Sequence, residues 1–134
     1  MSDTLVGSAV PEPSAVVIRG LVRRFGPLAA VNDINLEIGH GEIFGLVGPD
    51  GSGKSTIMRM LAGVLRPDSG TIMLDGVDVV GDPEGARSCL SYMPQRFGLY
   101  EDLTVSENIF FYSTLFEVPA QVRRERGREL LQAA

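Results

Sequence analysis

The sequence predicts an α/β domain from three observations: short apolar segments split by glycine turns, one glycine-rich loop between an apolar run and an amphipathic stripe, and helical patterning toward the C-terminal end. Residues 15–21 (AVVIRGL) and 32–38 (NDINLEI) read as two strands, each with one wet side; Ile34, Leu36 and Ile38 share a face. After the Gly39-His40-Gly41 turn, residues 43–47 (IFGLV) are unbroken apolar, which predicts a central strand covered on both faces. The loop GPDGSGKST follows at 48–56. Then IMRMLAGVL places Ile57, Met58, Leu61, Val64 and Leu65 at helical spacing. Residues 66–70 (RPDSG) form a turn, 71–74 (TIML) a strand, and Asp75-Gly76 a tight turn before VDVV. A short helix is expected over 83–88, a strand over 89–93 and a loop over 94–102. Thr104 and Glu107 make a capping box that opens a helix carrying Val105, Ile109, Phe110, Tyr112, Leu115 and Phe116. Pro119 opens another, with Val122, Leu130 and Leu131 as its apolar residues, and it meets Ala134 without a stop signal.

Composition narrows the classes of function. At 134 residues the chain has the size of one domain, and 44% hydrophobic with 22% charged residues is an ordinary globular balance. Mean hydropathy is +0.13, and no run approaches the ~18–20 apolar residues of a membrane-spanning helix. Twelve basic against seventeen acidic residues give a formal net charge of −5. That disfavours broad adhesion to nucleic acid, and no nucleic acid partner is expected. One cysteine, Cys89, and one histidine, His40, leave no intrachain disulfide and no cysteine-rich or histidine-rich metal site, a usage that suits a reducing cytoplasm. Residues 1–14 lack the basic and apolar regions of a secretory signal and read as a flexible leader. Arg123, Arg124, Arg126 and Arg128, interleaved with Glu125 and Glu129, read as a solvated helix face.

The loop carries the chemistry. Gly48, Pro49, Asp50, Gly51, Ser52, Gly53, Lys54 and Ser55 satisfy GxxxxGK(S/T) in the context of apolar run, loop and helix. Glycines let backbone approach phosphate oxygens, successive N–H groups point inward, and the following helix offers its positive end. Lys54 supplies a compact ammonium to β and γ phosphates, Ser55 a hydroxyl for Mg²⁺, and Thr56 a further donor. Of the twelve basic residues eleven are arginine, and the only lysine is Lys54. The branched guanidinium is too broad for that position.

Around this loop the chain resembles the ATP-binding domain of ABC transporters. Residues 38–76 (IGHGEIFGLVGPDGSGKSTIMRMLAGVLRPDSGTIMLDG) and 92–109 (YMPQRFGLYEDLTVSENI) carry the likeness, two separated motifs in the family's order. The GPDG form, together with YMPQRFGLYEDLTV, looks most like drug or ABC-2 type exporters. The resemblance implies a P-loop NTPase fold: an N-terminal β subdomain, a strand-loop-helix core, and the start of a helical subdomain. Residues 15–134 would be its N-terminal half. It implies ATP and Mg²⁺ as ligands, with Gln95 as the Q-loop glutamine touching metal and attacking water and relaying nucleotide state to a membrane subunit. A carboxamide can accept and donate there without adding charge. Phe25 falls where the family places an aromatic that stacks on adenine; from pattern alone it is equally a strand-end phenylalanine. Asp50 departs from the asparagine usual at its position, and a carboxylate beside phosphates disfavours anion binding. The implied partners are a transmembrane permease subunit or domain, facing the acidic aromatic region 97–112, and a second ATP-binding domain. The implied place is the cytoplasmic face of the membrane.

Hydrolysis in this family needs an apolar strand ending in Asp then Glu, a signature motif and a switch histidine. None is visible: residues 72–75 (IMLD) lead into Gly76 and a turn, and His40 precedes the loop. The chain alone is therefore expected to be catalytically incomplete, with an apolar sheet edge left exposed. Two other readings share the loop: a small phosphotransferase, which has no need of Phe25 and Gln95, and a soluble ABC protein without a membrane partner.

Overall fold

The computed structural model describes residues 14–95 and 98–133. The expected leader thus lies, apart from Ser14, outside the described residues. Where length suggests one unit, the chain divides into two, residues 1–92 and 93–134.

The first unit is built on an antiparallel sheet. Strands β1 (Val16–Phe25) and β2 (Leu28–Ile38) form a hairpin, and β3 (Ser69–Leu74) and β4 (Val77–Asp78) complete the order β2-β1-β3-β4. The hairpin is longer than the two segments read from sequence, because Gly26, at φ 58, turns the chain in two residues and pairs Phe25 with Leu28. Buried Ile18 and Leu21 stand three residues apart, out of step with a period of two. The β1–β2 register shifts between them, at Gly20 (φ 58), whose N–H donates to Asn35 Oδ1 at 2.9 Å. A bulge returns the second side chain to the inner face. In β2 the predicted alternation holds: Ile34 and Leu36 pack against the core while Asn35 and Glu37 are exposed.

Helix α1 (Lys54–Leu61) and helix α2 (Pro83–Ser88) follow in this unit, and Ile18, Leu21, Val31, Ile57, Met60, Ile72, Leu74, Val79 and Ala86 form the core. Met60, fully buried, replaces Met58 of the predicted stripe; Met58 and Val64 are exposed. The helix stops earlier than the apolar stripe because Gly63 enters the left-handed region at φ 65 and the N–H groups of Gly63 and Val64 close back on the carbonyls of Met60 and Arg59. Helix α2 occupies its expected span, with Asp82 Oδ1 accepting from Gly85 N at 2.9 Å and Pro83 in the first turn.

Two predicted strands do not form. Residues 43–47 belong to no ladder; Ile43 is fully exposed and Val47 90% exposed. A strand apolar on both faces needs a hydrogen-bonding neighbour, and the four described strands pair only with one another. Cys89–Met93 is likewise unpaired, and the boundary between the two units falls there.

The second unit holds α3 (Val105–Leu115) and α4 (Ala120–Ala133). The capping box is present in full: Glu107 N donates to Thr104 Oγ1, and Thr104 N donates to Glu107 Oε2 at 2.8 Å. After α3, Glu117 takes a positive φ of 54, Val118 N donates to Ser113 O at 2.7 Å, and Pro119 precedes α4. Arg123 leaves the solvated face expected of it and lies over the Phe110 ring at 4.5 Å, whereas Arg126 pairs with Glu129 at 3.3 Å. Val122, Leu130 and Leu131 are exposed.

Candidate functional site

Helix α1 begins where its sequence requires. Ile57 and Met60 are buried, which fixes the helix against the sheet, and Gly53 stands at its N-cap with φ 89 and ψ 0. Gly53 sits directly on β2: a Cβ there would lie 2.2 Å from Ala30 O and 3.4 Å from Val31 Cγ2. Only a residue without a side chain tolerates both the conformation and the approach. No side chain caps the helix and no acidic residue occupies its first turn. The first-turn N–H groups, which an α-helix leaves without internal acceptors, therefore face the loop with no acidic side chain from the helix itself beside them.

Lys54 reaches back over that loop. Its Nζ donates to Gly48 O at 2.7 Å, Pro49 O at 2.6 Å and Ser52 Oγ at 3.3 Å, which uses all three ammonium donors. Ser52 N donates to Pro49 O at 3.3 Å, tightening the turn at Asp50-Gly51. Asp50, Gly51, Ser52 and Ser55 are exposed; Gly53, Lys54 and Thr56 are half-buried. This donor set fits a polyphosphate: an ammonium, exposed hydroxyls and an uncapped helix end lie within nine consecutive residues, and the Ser55 hydroxyl is an oxygen ligand a hard divalent cation would accept.

Phe25 ends β1 at the hairpin turn, 47% exposed, with the Arg23 guanidinium 4.9 Å from its ring centre on one face. It shares the sheet end that carries the loop, since Phe25 pairs with Leu28 and Ala30, two residues on, meets Gly53. Gln95 lies exposed in the second unit on a segment outside helix and strand. Asp75 occupies the β3–β4 turn at φ 46, followed by Gly76 at φ 80, and its Oδ1 is 3.3 Å from His40 Nε2. Among the described residues no three His, Cys, Asp or Glu side chains group to hold a metal.

One organising residue escaped the sequence reading. Asn108, buried on α3, accepts from Tyr100 N at 2.9 Å and donates to the carbonyls of Tyr100 (3.0 Å), Leu103 (3.1 Å) and Thr104 (3.1 Å). It ties the turn at 100–104 to the helix. A lone carboxamide one turn after a capping box, beside apolar Ile109 and Phe110, is the signal that marked it.

A β hairpin sheet joined to a helix that opens on a glycine-rich loop defines the first unit as an α/β fold. A family model, that of the ABC transporter, matches residues 31–134. The chain belongs to that family. It is 44% identical over 121 residues to the probable multidrug ABC transporter ATP-binding protein of Escherichia coli, covering 89% of this chain and 21% of that one. It is 39% identical to a probable sulfate/thiosulfate import ATP-binding protein of Chlorella vulgaris (88% and 50% covered), and 36% identical to the Nod factor export ATP-binding protein of Ralstonia nicotianae (96% and 40%). A solved ATP-binding subunit of an ABC transporter superposes with a TM-score of 0.74 at 25% identity, over 89% of this chain and 50% of that one. The chain spans half or less of the length of these proteins. The family match sets aside the small phosphotransferase. Relatives include importers and exporters, so family alone does not give a direction of transport.

Proposed function

We propose that residues 48–56 bind the phosphates of Mg·ATP, and that the chain is part of a longer ATP-binding protein that powers transport across a membrane. The observation that carries this reading is the Lys54 ammonium gathered over Gly48 O, Pro49 O and Ser52 Oγ at the open end of α1. In this reading Lys54 exchanges carbonyl acceptors for β and γ phosphate oxygens, and the N–H groups of residues 51–56 receive the remaining phosphate charge. Ser55 supplies an oxygen ligand to Mg²⁺, Thr56 adds a donor, Phe25 offers adenine the ring face that Arg23 leaves open, and Gln95 relays nucleotide state to the membrane partner. Bound Mg²⁺ supplies charge neutralisation across the β and γ phosphates.

The polarising carboxylate for hydrolysis belongs, in this reading, to the remainder of the longer protein. Its partners are a transmembrane permease and a second ATP-binding domain, at the cytoplasmic face of the membrane; among the described residues no helix is long and apolar enough to cross it. Export is favoured by the GPDG loop and the 92–109 segment and by the 36% identity to a Nod factor export ATP-binding protein. Calorimetric titration with Mg·ATP tests the site. Lys54→Ala removes a charge-assisted contact of roughly 1.5–3 kcal/mol, so affinity falls at least about tenfold. Equal affinity in the two proteins refutes the assignment.

A further inference from the structure

Asp50 is the one carboxylate within residues 48–56, and it stands at the exposed tip of the loop. Its charge is not absorbed locally. Among the described residues neither Asp50 nor Lys54 takes part in an ion pair, because the Lys54 ammonium is held by Gly48 O, Pro49 O and Ser52 Oγ. Yet the two are close. Pro49 O, 2.6 Å from Nζ, belongs to the peptide that leads into Asp50, so covalent geometry keeps the Asp50 carboxylate within about 9 Å of the ammonium.

We infer that Asp50 sets the charge state of the ligand, making the loop discriminate against polyphosphate that carries no divalent cation. The inference rests on the phosphate-binding reading above. Phosphate held at the Lys54 ammonium would lie on the order of 8 Å from Asp50, and across water a negative charge at that range weakens binding roughly twofold per unit of ligand charge at low ionic strength. Metal-free ATP is about two charges more negative than Mg·ATP, so Asp50 enlarges the preference for the metal complex roughly fourfold. The loop thus rejects bare nucleotide without any direct contact to metal.

The test is calorimetry with ATP in low-salt buffer, with excess Mg²⁺ or with EDTA, on the wild-type chain, Asp50→Asn and Asp50→Glu. The ratio of the two affinities is expected to shrink roughly fourfold in Asp50→Asn, to stay at the wild-type value in Asp50→Glu, and to become equal in all three in 1 M salt, where charges at this distance are screened. Equal ratios in wild type and Asp50→Asn, a difference that survives 1 M salt, or no detectable metal-free binding to Asp50→Asn each overturn the inference. Wild-type binding that depends on Lys54 but shows such a result leaves the phosphate site standing. A wild-type chain that binds neither form overturns both.

Discussion

Replacing Gly53 by alanine tests how the glycine-rich loop is seated. At φ 89 an L residue pays roughly 1–2 kcal/mol for the left-handed conformation. The new Cβ would also stand 2.2 Å from Ala30 O, more than an ångström inside ordinary contact, and that oxygen belongs to a β2 residue held between the ladder pairs Arg23–Val31 and Arg24–Ala29. Backbone in a ladder cannot rotate away as a side chain can, so relief costs a further ~1–3 kcal/mol of the kind seen on overpacking. Gly51→Ala is the control: its φ is 79, but no atom lies within 4 Å of the added Cβ, and only the conformational cost of about 1–2 kcal/mol applies. Urea denaturation and Mg·ATP titration of both variants should place Gly53→Ala well below Gly51→Ala, at about 2–5 kcal/mol of total loss. If the exposed loop yields instead of the strand, stability is spared and the deficit moves into nucleotide affinity. Two variants alike in both measurements would show that Gly53 is not seated on β2.

Asn108→Ala removes the side-chain clamp and leaves Tyr100 N and Leu103 O without their partner, while Tyr100 O keeps Leu103 N and Thr104 O keeps the backbone N–H of residue 108; a loss of about 2–4 kcal/mol in the second unit is expected, read as faster amide exchange over 98–104, and unchanged exchange there counts against the clamp. Glu107 is held below its ordinary carboxyl value of 4.5 by the Thr104 hydroxyl first and the Thr104 backbone second. A lowered folded value means that its contribution is present above about pH 4.5 and is lost as pH falls through the lower folded value. Amide exchange at the start of α3 should therefore rise in acid, and Thr104→Ala should flatten that dependence; an identical acid response in the variant would refute it.

The parts of this molecule legible from sequence are those whose cause is local. The capping box at Thr104 and Glu107, the Asp82-Pro83 start of α2 and the Asp75-Gly76 turn each rest on contacts within four residues, and each appears where its residues specify. The glycine loop is read from spacing, but its seating is not local: the Lys54 ammonium reaches Gly48 O six residues back, and Gly53, at φ 89, lies against Ala30 of β2. What sequence could not give is what depends on distant partners. The apolar run 43–47 has the composition of a buried strand but pairs with none of the described strands, and Met60, three residues on from Ile57 and so on the same face of α1, is buried where Met58 is not. Asn108 belongs to this second class too, since its worth lies in carbonyls brought to it by a turn.

That division bears on the exposed run itself. Ile43 and Val47 lie bare directly before the loop that organises Lys54, so the strand meant to anchor the loop from one side is unpaired while β2, through Ala30, anchors it from the other. A loop held from one side is free to choose its own acceptors, and Lys54 does so by turning onto Gly48 O and Pro49 O. Pairing residues 43–47 into a sheet would draw Gly48 into line with the strand and hold its carbonyl in place. The ammonium would then be presented from a fixed frame, and phosphate would bind without first ordering the loop. On the phosphate-binding reading proposed above, nucleotide affinity and the pairing of residues 43–47 are coupled through the carbonyls of Gly48 and Pro49.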